Sequence, residues 1–481
     1  MMNFSTELTS PVFKKVAEAA EELGVEAFLI GGFVRDLILK RESKDLDVVV
    51  IDPKNSRKNT GIDLARLLGS KYGAKNLSEH KNFGTAGLSL DGWDVEFVVA
   101  RKESYSRNSR NPEVEAGTLE EDQERRDFTI NAMSIALSKE HFGELFDPFN
   151  GLGDLNNRLL KTPTNPSITF SDDPLRMMRA IRFACQLDFE IDPAAYKAIG
   201  EHSERISIIA PERCAEELNK ILLCNEPSKG FILLLKTGIL PLLLPELTDL
   251  RGVDEVEGQR HKDNFYHTLE VVDNISQNTD NVWLRWAALL HDIGKAPTKR
   301  FDEKIGWTFH AHEFKGSKMV AQMFKRLRLP LNEKMKFVKK IVMLSSRPIA
   351  LANEGVTDSA VRRLLFDAGE DIEDLMTMCE ADITTKNDRK RQKYLKNFII
   401  VRSKLKSVEE KDRLRVWQPP VSGDEIIARY QLKPSKIVGD LKEAVKEAIL
   451  EGEIPNEREA ALAFLDVQAQ SKGIEIPHQS A

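Results

Sequence analysis

Apolar positions near the start of the chain change period repeatedly, and each change predicts an element. Phe13, Val16, Ala17, Ala20 and Leu23 recur at three- and four-residue spacing, which predicts a helix. Ser10-Pro11 gives it a capping hydroxyl followed by proline at the first helical position, and Gly24 ends it. Ala27–Ile30 is a continuous apolar run and reads as a buried strand; Leu37–Leu39 lies on a short helix; Leu46–Ile51 is a second strand. Leu88–Leu90 and Trp93–Ala100 flank Asp91-Gly92, a dipeptide suited to a tight hairpin turn. The first 150 residues thus mix strand and helix. From residue 172 to 480 the strand pattern gives way to apolar residues spaced three and four apart, helix after helix. Ser104–Gly117 is polar and reads as a mobile loop, and Gln418-Pro419-Pro420 as a hinge before a last helical segment.

Composition narrows the setting. The chain has 481 residues, enough for about three or four domains. With 41% apolar and 30% charged residues it has the balance of a soluble globular protein. A net charge of −6 means that any nucleic-acid surface must be a local patch. Cys185, Cys214, Cys224 and Cys379 form no CxxC pair, so neither a disulfide framework nor a zinc knuckle is expected, and a reducing cytoplasmic setting fits. The most apolar stretch, Phe231–Leu247, is interrupted by Lys236 and Pro241 and is not a membrane span.

Candidate chemistry begins in "FLIGGFVRDLILKRESKDLDVVV", from Phe28 to Val50. Asp45 and Asp47 are two apart, which on a strand turns both carboxylates to one face. Such neighbours repel, and a divalent cation relieves the repulsion. Magnesium takes oxygen ligands and is held by one or two carboxylates together with substrate phosphates. Two such ions could stabilise the attacking and leaving oxygens of an in-line displacement at phosphorus. Gly31-Gly32 would let a triphosphate approach the backbone, and Arg35 would pair with its oxygens. No GK[ST] follows and GxGxxG is absent. Alone, the aspartates would be a solvated strand edge and the glycines a turn; their order on adjacent strands gives them weight.

That stretch resembles motif A of the class II tRNA nucleotidyltransferases, the CCA-adding enzymes and bacterial poly(A) polymerases of the DNA polymerase beta-like superfamily. Arg125-Arg126-Asp127-Phe128-Thr129-Ile130-Asn131-Ala132-Met133 is similar to the family's RRDFTINA motif. Asp147-Pro148-Phe149-Asn150-Gly151 with Asp154-Leu155 is similar to its DPxxGxxDL hinge. Asp173-Pro174-Leu175-Arg176, with Arg179 and then Arg182-Phe183, is similar to EDxxR and its trailing arginines. Asp172 stands where many members have glutamate, a charge-conserving but shorter side chain.

The resemblance implies an α+β fold: a nucleotidyltransferase head with a small mixed sheet (residues 1–150), then an all-α body. The body would comprise a nucleotide-selecting neck and RNA-binding helices (151–255), an HD domain (256–400) and a C-terminal helical region (401–481). It implies that Asp45 and Asp47 are catalytic and bind two Mg2+ ions, while the 3′-hydroxyl of tRNA attacks the α-phosphate of CTP or ATP and pyrophosphate leaves. Gly31, Gly32, Arg35, Arg125, Arg126, Asp127, Asp173, Arg176, Arg179 and Arg182 would form the nucleotide site. Which of Arg125 and Arg126 contacts the nucleotide stays open. Asp173 and Arg176, three apart on a helix, would read the base edge. A carboxylate accepts from the exocyclic amino group that cytosine and adenine share, and an arginine donates to the adjacent ring acceptor. A wrong base leaves buried partners unpaired. Asp94 and Glu96 alternate after the hairpin, where the superfamily often has a third carboxylate; they read here as the solvated face of an edge strand.

A second constellation lies downstream. His267, His291-Asp292 in "WAALLHDIGK" and Asp382 follow the order of the HD phosphohydrolase superfamily. Imidazole and carboxylate suit a transition metal or magnesium, so a divalent metal of undefined identity is expected. His310 and His312-Glu313 resemble additional histidines of its hydrolase members. In some relatives this domain hydrolyses phosphate esters and in others it is inert.

Residues 386–415 hold twelve Lys or Arg against four Asp or Glu, a net of +8, with Tyr394, Phe398 and Trp417 interleaved or adjacent. Lys390, Arg391, Lys393 and Arg402 are the expected tRNA contacts, acting on phosphates and on shape. Three readings remain: addition of C and A; a poly(A) polymerase or an enzyme adding only CC or only A; and an HD hydrolase with an RNA-binding head. The intact Asp45/Asp47 pair weighs against the last, and the loop at Ser104–Gly117 favours full CCA addition.

Overall fold

The computed structural model describes residues 2–54, 59–80, 84–104, 113–256, 259–260, 262–353, 357–412 and 420–474. The chain forms two compact units. One comprises Met1–Ile221 with Lys229–Leu243, the other Leu222–Ser228 with Leu244–Ala481.

The first unit is built on a seven-stranded mixed sheet. Its strands are β1 (Glu26–Ile30), β2 (Asp45–Ile51), β3 (Lys75–His80), β4 (Thr85–Leu90), β5 (Trp93–Val99), β8 (Ser134–Ala136) and β9 (Leu145–Phe146), in the order β3-β4-β5-β2-β1-β8-β9. A separate hairpin pairs β6 (Arg101–Ser104) with β7 (Glu113–Ala116). Only β2 and β5 of the sheet run parallel, and Phe28, Leu29, Ile30, Val48, Val49 and Val50 are buried at its centre. β4 and β5 meet at Asp91-Gly92, both in the left-handed region (φ 53 and 83), as the hairpin reading requires.

Helix α1 (Pro11–Leu23) starts and ends where its sequence signals lie, with Gly24 at φ 66. The Ser10 hydroxyl makes no cap bond; it accepts from the Trp93 indole N–H at 3.0 Å. Between β1 and β2 lies α2 (Gly32–Ile38), and α3 (Thr60–Tyr72) packs on the sheet. After β7 comes α4 (Leu119–Glu124), opened by a reciprocal capping box between Thr118 and Glu121. Then follow α5 (Gly151–Asn156), α6 (Pro166–Asp172) and α7 (Leu175–Leu187).

Two expectations need correction. Beyond residue 172 the chain is not purely helical. Glu190–Ile191 pairs with Leu159–Leu160, and two small hairpins join Glu255–Val256 to Gln259–Arg260 and Arg300–Asp302 to Gly306–Thr308. Two- and three-residue strands are too short to print an alternating pattern. The polar stretch Ser104–Gly117 also contains strand, since Ser104 and Glu113–Ala116 belong to the β6–β7 hairpin; its residues 105–112 lie outside the described residues.

Apart from those two small hairpins, the described residues of the second unit form helices and their connections. Its C-terminal part, Gly423–Tyr430, Lys436–Glu451 and Arg458–Ser471, closes around a core of Val421, Ile426, Leu441, Val445, Ile449 and Leu465. Of the expected hinge, Gln418 and Pro419 lie outside the described residues. All four cysteines are buried and none is in a disulfide. Among the described residues no helix is long and apolar enough to cross a membrane.

Candidate functional site

The sheet register assembles the first site. Asp45 stands opposite Asp94 and Asp47 opposite Glu96 across the parallel β2–β5 pair, and all four line one open cavity of about 500 Å³. Burial pushes the Asp47 carboxyl above its usual range; Arg126 and Arg179 oppose the rise and Asp45 adds to it. Burial also raises Glu96, and Asp47 adds to that. β5 lies between β4 and β2 and is not an edge strand, so the reading of Glu96 as an edge feature fails. Parallel pairing of strands more than 40 residues apart is what brings Glu96 beside Asp47, and no local pattern reports it.

Gly31 sits between the carboxylates and the arginines. Its φ of 78 and ψ of −135 belong to glycine alone. A Cβ there would lie 3.1 Å from Arg126 Nη1 and 3.2 Å from Asp47 Oδ2. Gly32 opens α2. Arg35, on the same helix, is buried. Its Nε and Nη2 donate to the Asp36 carboxylate at 2.9 and 2.8 Å, and its Nη1 to Asn131 Oδ1 at 2.8 Å. The expected phosphate partner is thus largely committed within the protein, tying α2 to the RRDFTINA segment.

That segment is an interlocked set. Asp122 on α4 takes Arg125 and Arg126 on its two oxygens. Asp127 accepts from Phe128 N and Asn131 Nδ2 on one oxygen and from Arg179 Nε at 2.7 Å on the other. Burial works against its charge, yet Arg179 and Asn131 outweigh this and hold its pKa at about 2. The hinge motif docks on the same place. Asp147 caps Gly151 N and Leu152 N, and Asp154 Oδ2 accepts from the Thr129 hydroxyl at 2.7 Å. A Cβ at Gly151 would lie 2.3 Å from Thr129 O, so only glycine fits.

α7 brings the remaining arginines. Arg176 Nη2 donates to Arg125 O at 2.7 Å, and Arg182 Nε to the buried Glu217 at 2.6 Å. Phe183 is the hub of this face: its ring lies 5.0 Å from the Arg35 guanidinium, 3.7 Å from that of Arg182 and 5.8 Å from the Phe128 ring. One expected geometry is corrected. Asp173 is not on the helix with Arg176. It is the extended residue (φ −131, ψ 98) between α6 and α7, and its Oδ1 accepts from Leu175 N. Pro174 disfavours helical backbone at the residue before it.

The second site lies in the helical unit. Helix Asn264–Ser276 carries His267, His291 follows helix Val282–Leu290, and Asp382 follows helix Ile372–Ala381. His267, His291 and Asp292 are buried, and their ligand atoms converge within 4.8 Å. Asp382 Oδ1 lies 2.8 Å from His267 Nε2 and 3.7 Å from His291 Nε2. His291 Nε2 is buried without a hydrogen-bond partner while its Nδ1 faces Ala288 O at 2.8 Å. A buried, unpartnered imidazole nitrogen turned toward two carboxylates is what a divalent metal fits. Burial opposes charge on Asp292, but His291, Lys295 and His267 hold its carboxyl far below the usual range. His312 Nε2 stands 3.7 Å from Asp292 Oδ1, while His310 is exposed. Two lysines were not foreseen: Lys295 Nζ contacts Asp292 Oδ2 at 2.6 Å, and Lys262 Nζ contacts His267 Nδ1 at 2.7 Å.

On helix Asp388–Asp412, Lys390, Arg391 and Lys393 are exposed. Arg402 is engaged by Glu380 at 2.7 Å and by Glu373, and Phe398 is buried, so neither presents itself as expected. Trp417 lies outside the described residues.

Comparison with known proteins defines the class first. The chain matches the poly(A) polymerase head domain family over residues 27–161, a probable RNA and SrmB-binding site of polymerase A over 188–250, and the HD domain family over 264–387. It is a nucleotidyltransferase with a polymerase-type head and an HD domain. It is 30% identical over 444 residues to the A-adding tRNA nucleotidyltransferase of Deinococcus radiodurans, spanning 90% of this chain and 94% of that one. It is 38% identical over 234 residues to the CCA-adding enzyme of Limosilactobacillus reuteri, covering 48% of this chain and 52% of that one. The fold is also that of the Bacillus stearothermophilus CCA-adding enzyme solved with CTP, with a TM-score of 0.64, 22% identity and coverage of 97% and 99%. The chain belongs to the tRNA nucleotidyltransferase family.

Proposed function

We propose that this enzyme completes the 3′ end of tRNA, adding CMP and AMP from CTP and ATP without a template. The observation that carries the reading is the carboxylate face of β2 and β5. Asp45, Asp47 and Glu96 share one open cavity, and Arg126 Nη1 and Asp47 Oδ2 both border the space beside Gly31. Bound there by Asp45 and Asp47, with Glu96 beside them, magnesium would activate the attacking hydroxyl and neutralise charge on the leaving pyrophosphate.

The protein's own groups do the rest. Gly31 leaves room for the triphosphate against the backbone. Arg126, with its Nε–Nη2 edge fixed by Asp122, offers its remaining donors to phosphate oxygens. Arg176, anchored by one nitrogen to Arg125 O, offers its other donors to a base edge, and Asp173 accepts from the exocyclic amino group. Lys390, Arg391 and Lys393 would hold the tRNA backbone. His267, His291, Asp292 and Asp382 would hold a divalent metal for phosphate-ester hydrolysis, with Lys262 and Lys295 near the phosphate.

A second reading, addition of A alone, is favoured by one observation: the relative matched over 444 residues is an A-adding tRNA nucleotidyltransferase. The test is extension of tRNA ending at the discriminator base and of tRNA ending in CC, with CTP alone, ATP alone and both. CCA addition gives two residues with CTP and three with both. Extension of only the CC-ending substrate, by ATP, replaces it with the second reading.

A further inference from the structure

We propose that Asp122 is the positioning residue of the triphosphate subsite. This rests on reading Asp45, Asp47 and Arg126 as the nucleotide-transfer site, and assigns a role to a side chain outside the lining of the carboxylate cavity.

Asp122 is fully buried, and its carboxylate serves two arginines at once. Oδ1 takes Arg125 Nε and Nη2 at 2.9 and 2.5 Å, and Oδ2 takes Arg126 Nε and Nη2 at 3.3 and 3.2 Å. The backbone N–H of Arg101, at the base of the β6–β7 hairpin, donates to Oδ1 at 3.4 Å. Burial alone would favour the neutral acid, but Arg126 and Arg125 hold the carboxyl below its usual value. α4 is itself nailed to the sheet: the next residue, Gln123, donates from Nε2 to Ala132 O, Ser134 Oγ and Phe146 O at 2.7, 3.1 and 3.1 Å. A rigid helix thus presents one charge, and that charge fixes two guanidinium groups three and four residues on.

What it fixes is consequential. Arg126 Nη1 and Asp47 Oδ2 both border the space beside Gly31, 3.1 and 3.2 Å from where a Cβ would stand. Arg125 offers its carbonyl to Arg176. An arginine whose Nε edge is held keeps its Nη1 side in place, so no rotamer freedom is lost when a phosphate arrives. Without Asp122 both side chains could fold toward the Asp45, Asp47 and Glu96 carboxylates, occupying the place of the cations those groups would otherwise hold.

The effect should therefore fall on the phosphates and not on the base. In Asp122→Asn the shape is kept and the charge removed. We expect KM for CTP and ATP and the inhibition constant for pyrophosphate to rise together by about tenfold. KM for tRNA and the ratio of CTP to UTP incorporation should stay within about twofold. A merely structural role would lower the melting temperature and active fraction and leave the KM values and the pyrophosphate constant of the surviving enzyme at wild-type values, which would overturn the proposal. Should Asp122→Asn not fold, Arg126→Lys is measured instead: it keeps charge but loses the edge-on contact, and an unchanged pyrophosphate constant there overturns the proposal equally. Asp45→Ala is run in parallel. If it still adds nucleotides, the transfer-site reading is what has failed, not the role of Asp122.

Discussion

The two acidic centres hold similar groups in opposite states. In the head, Asp45 is exposed at the mouth of a cavity, Asp47 is only partly covered, and the nearby arginines Arg125, Arg126 and Arg179 are braced by Asp122 and Asp127. Around His291 the ligands are already collected: His267, His291 and Asp292 are buried, Asp382 lies beside them, and Lys295 meets Asp292 directly. An open carboxylate face braced by arginines suits a large substrate that brings its own phosphates to the metal. A closed cluster suits a metal held mainly by protein. The difference teaches that the same residue types acquire their role from what neutralises them, and it predicts that the two centres fail independently.

The largest expected effect is at the open centre. Asp45→Ala or Asp47→Ala should lower nucleotide addition by at least about a thousandfold, because metal binding and charge stabilisation at phosphorus go together. The melting curve should barely move, since neither side chain packs in the core; retained CTP incorporation would sink the assignment. Next in size is the closed centre. His291→Ala with Asp292→Ala should remove any hydrolysis of phosphomonoesters and 2′,3′-cyclic phosphates and leave nucleotide addition within a few-fold. Manganese or zinc should raise the melting temperature of the wild type and not that of this variant. A collapse of addition with an unchanged melt would tie the HD cluster to polymerisation.

A smaller effect is expected at the base-reading edge. Asp173→Ala should raise UTP and GTP incorporation relative to CTP and ATP by about tenfold, and the lost bond from Leu175 N should cost about 1 kcal/mol. A uniform slowing at an unchanged ratio would leave Asp173 only that structural role. The smallest effect is in acid. Asp127 has its pKa lowered to about 2, so its contribution is fully present above the ordinary carboxylate value and is lost as pH falls through the folded value. That contribution is about 2 kcal/mol. Denaturant midpoints measured between pH 5 and pH 2 should fall less steeply for Asp127→Asn than for the wild type.

Much of this was legible in the chain, for local reasons. Asp91-Gly92, Gly24 and the spacing of Asp45 and Asp47 act within one turn or one strand, and each stands where its pattern put it. What escaped depends on contacts across the fold. Glu96 reaches the site through parallel pairing, and Phe183 meets Arg35 of α2 as well as Arg179 and Arg182 of its own helix α7. Asp122 is the instructive case. It stands three and four residues before Arg125 and Arg126, a spacing at which helical neighbours meet, and that signal could have singled it out. Asp173 shows the converse. Three-residue spacing to Arg176 suggested one helix, although the proline between them already argued for a break.

The most direct test of the two-centre account is pyrophosphate released per nucleotide added, measured side by side for the wild type, Asp45→Ala and the His291→Ala/Asp292→Ala protein on tRNA lacking its 3′ end. The account predicts one pyrophosphate per nucleotide in the wild type and in the HD variant, and neither product from Asp45→Ala. Nucleotide addition by Asp45→Ala, or its loss from a fully folded HD variant, would contradict it.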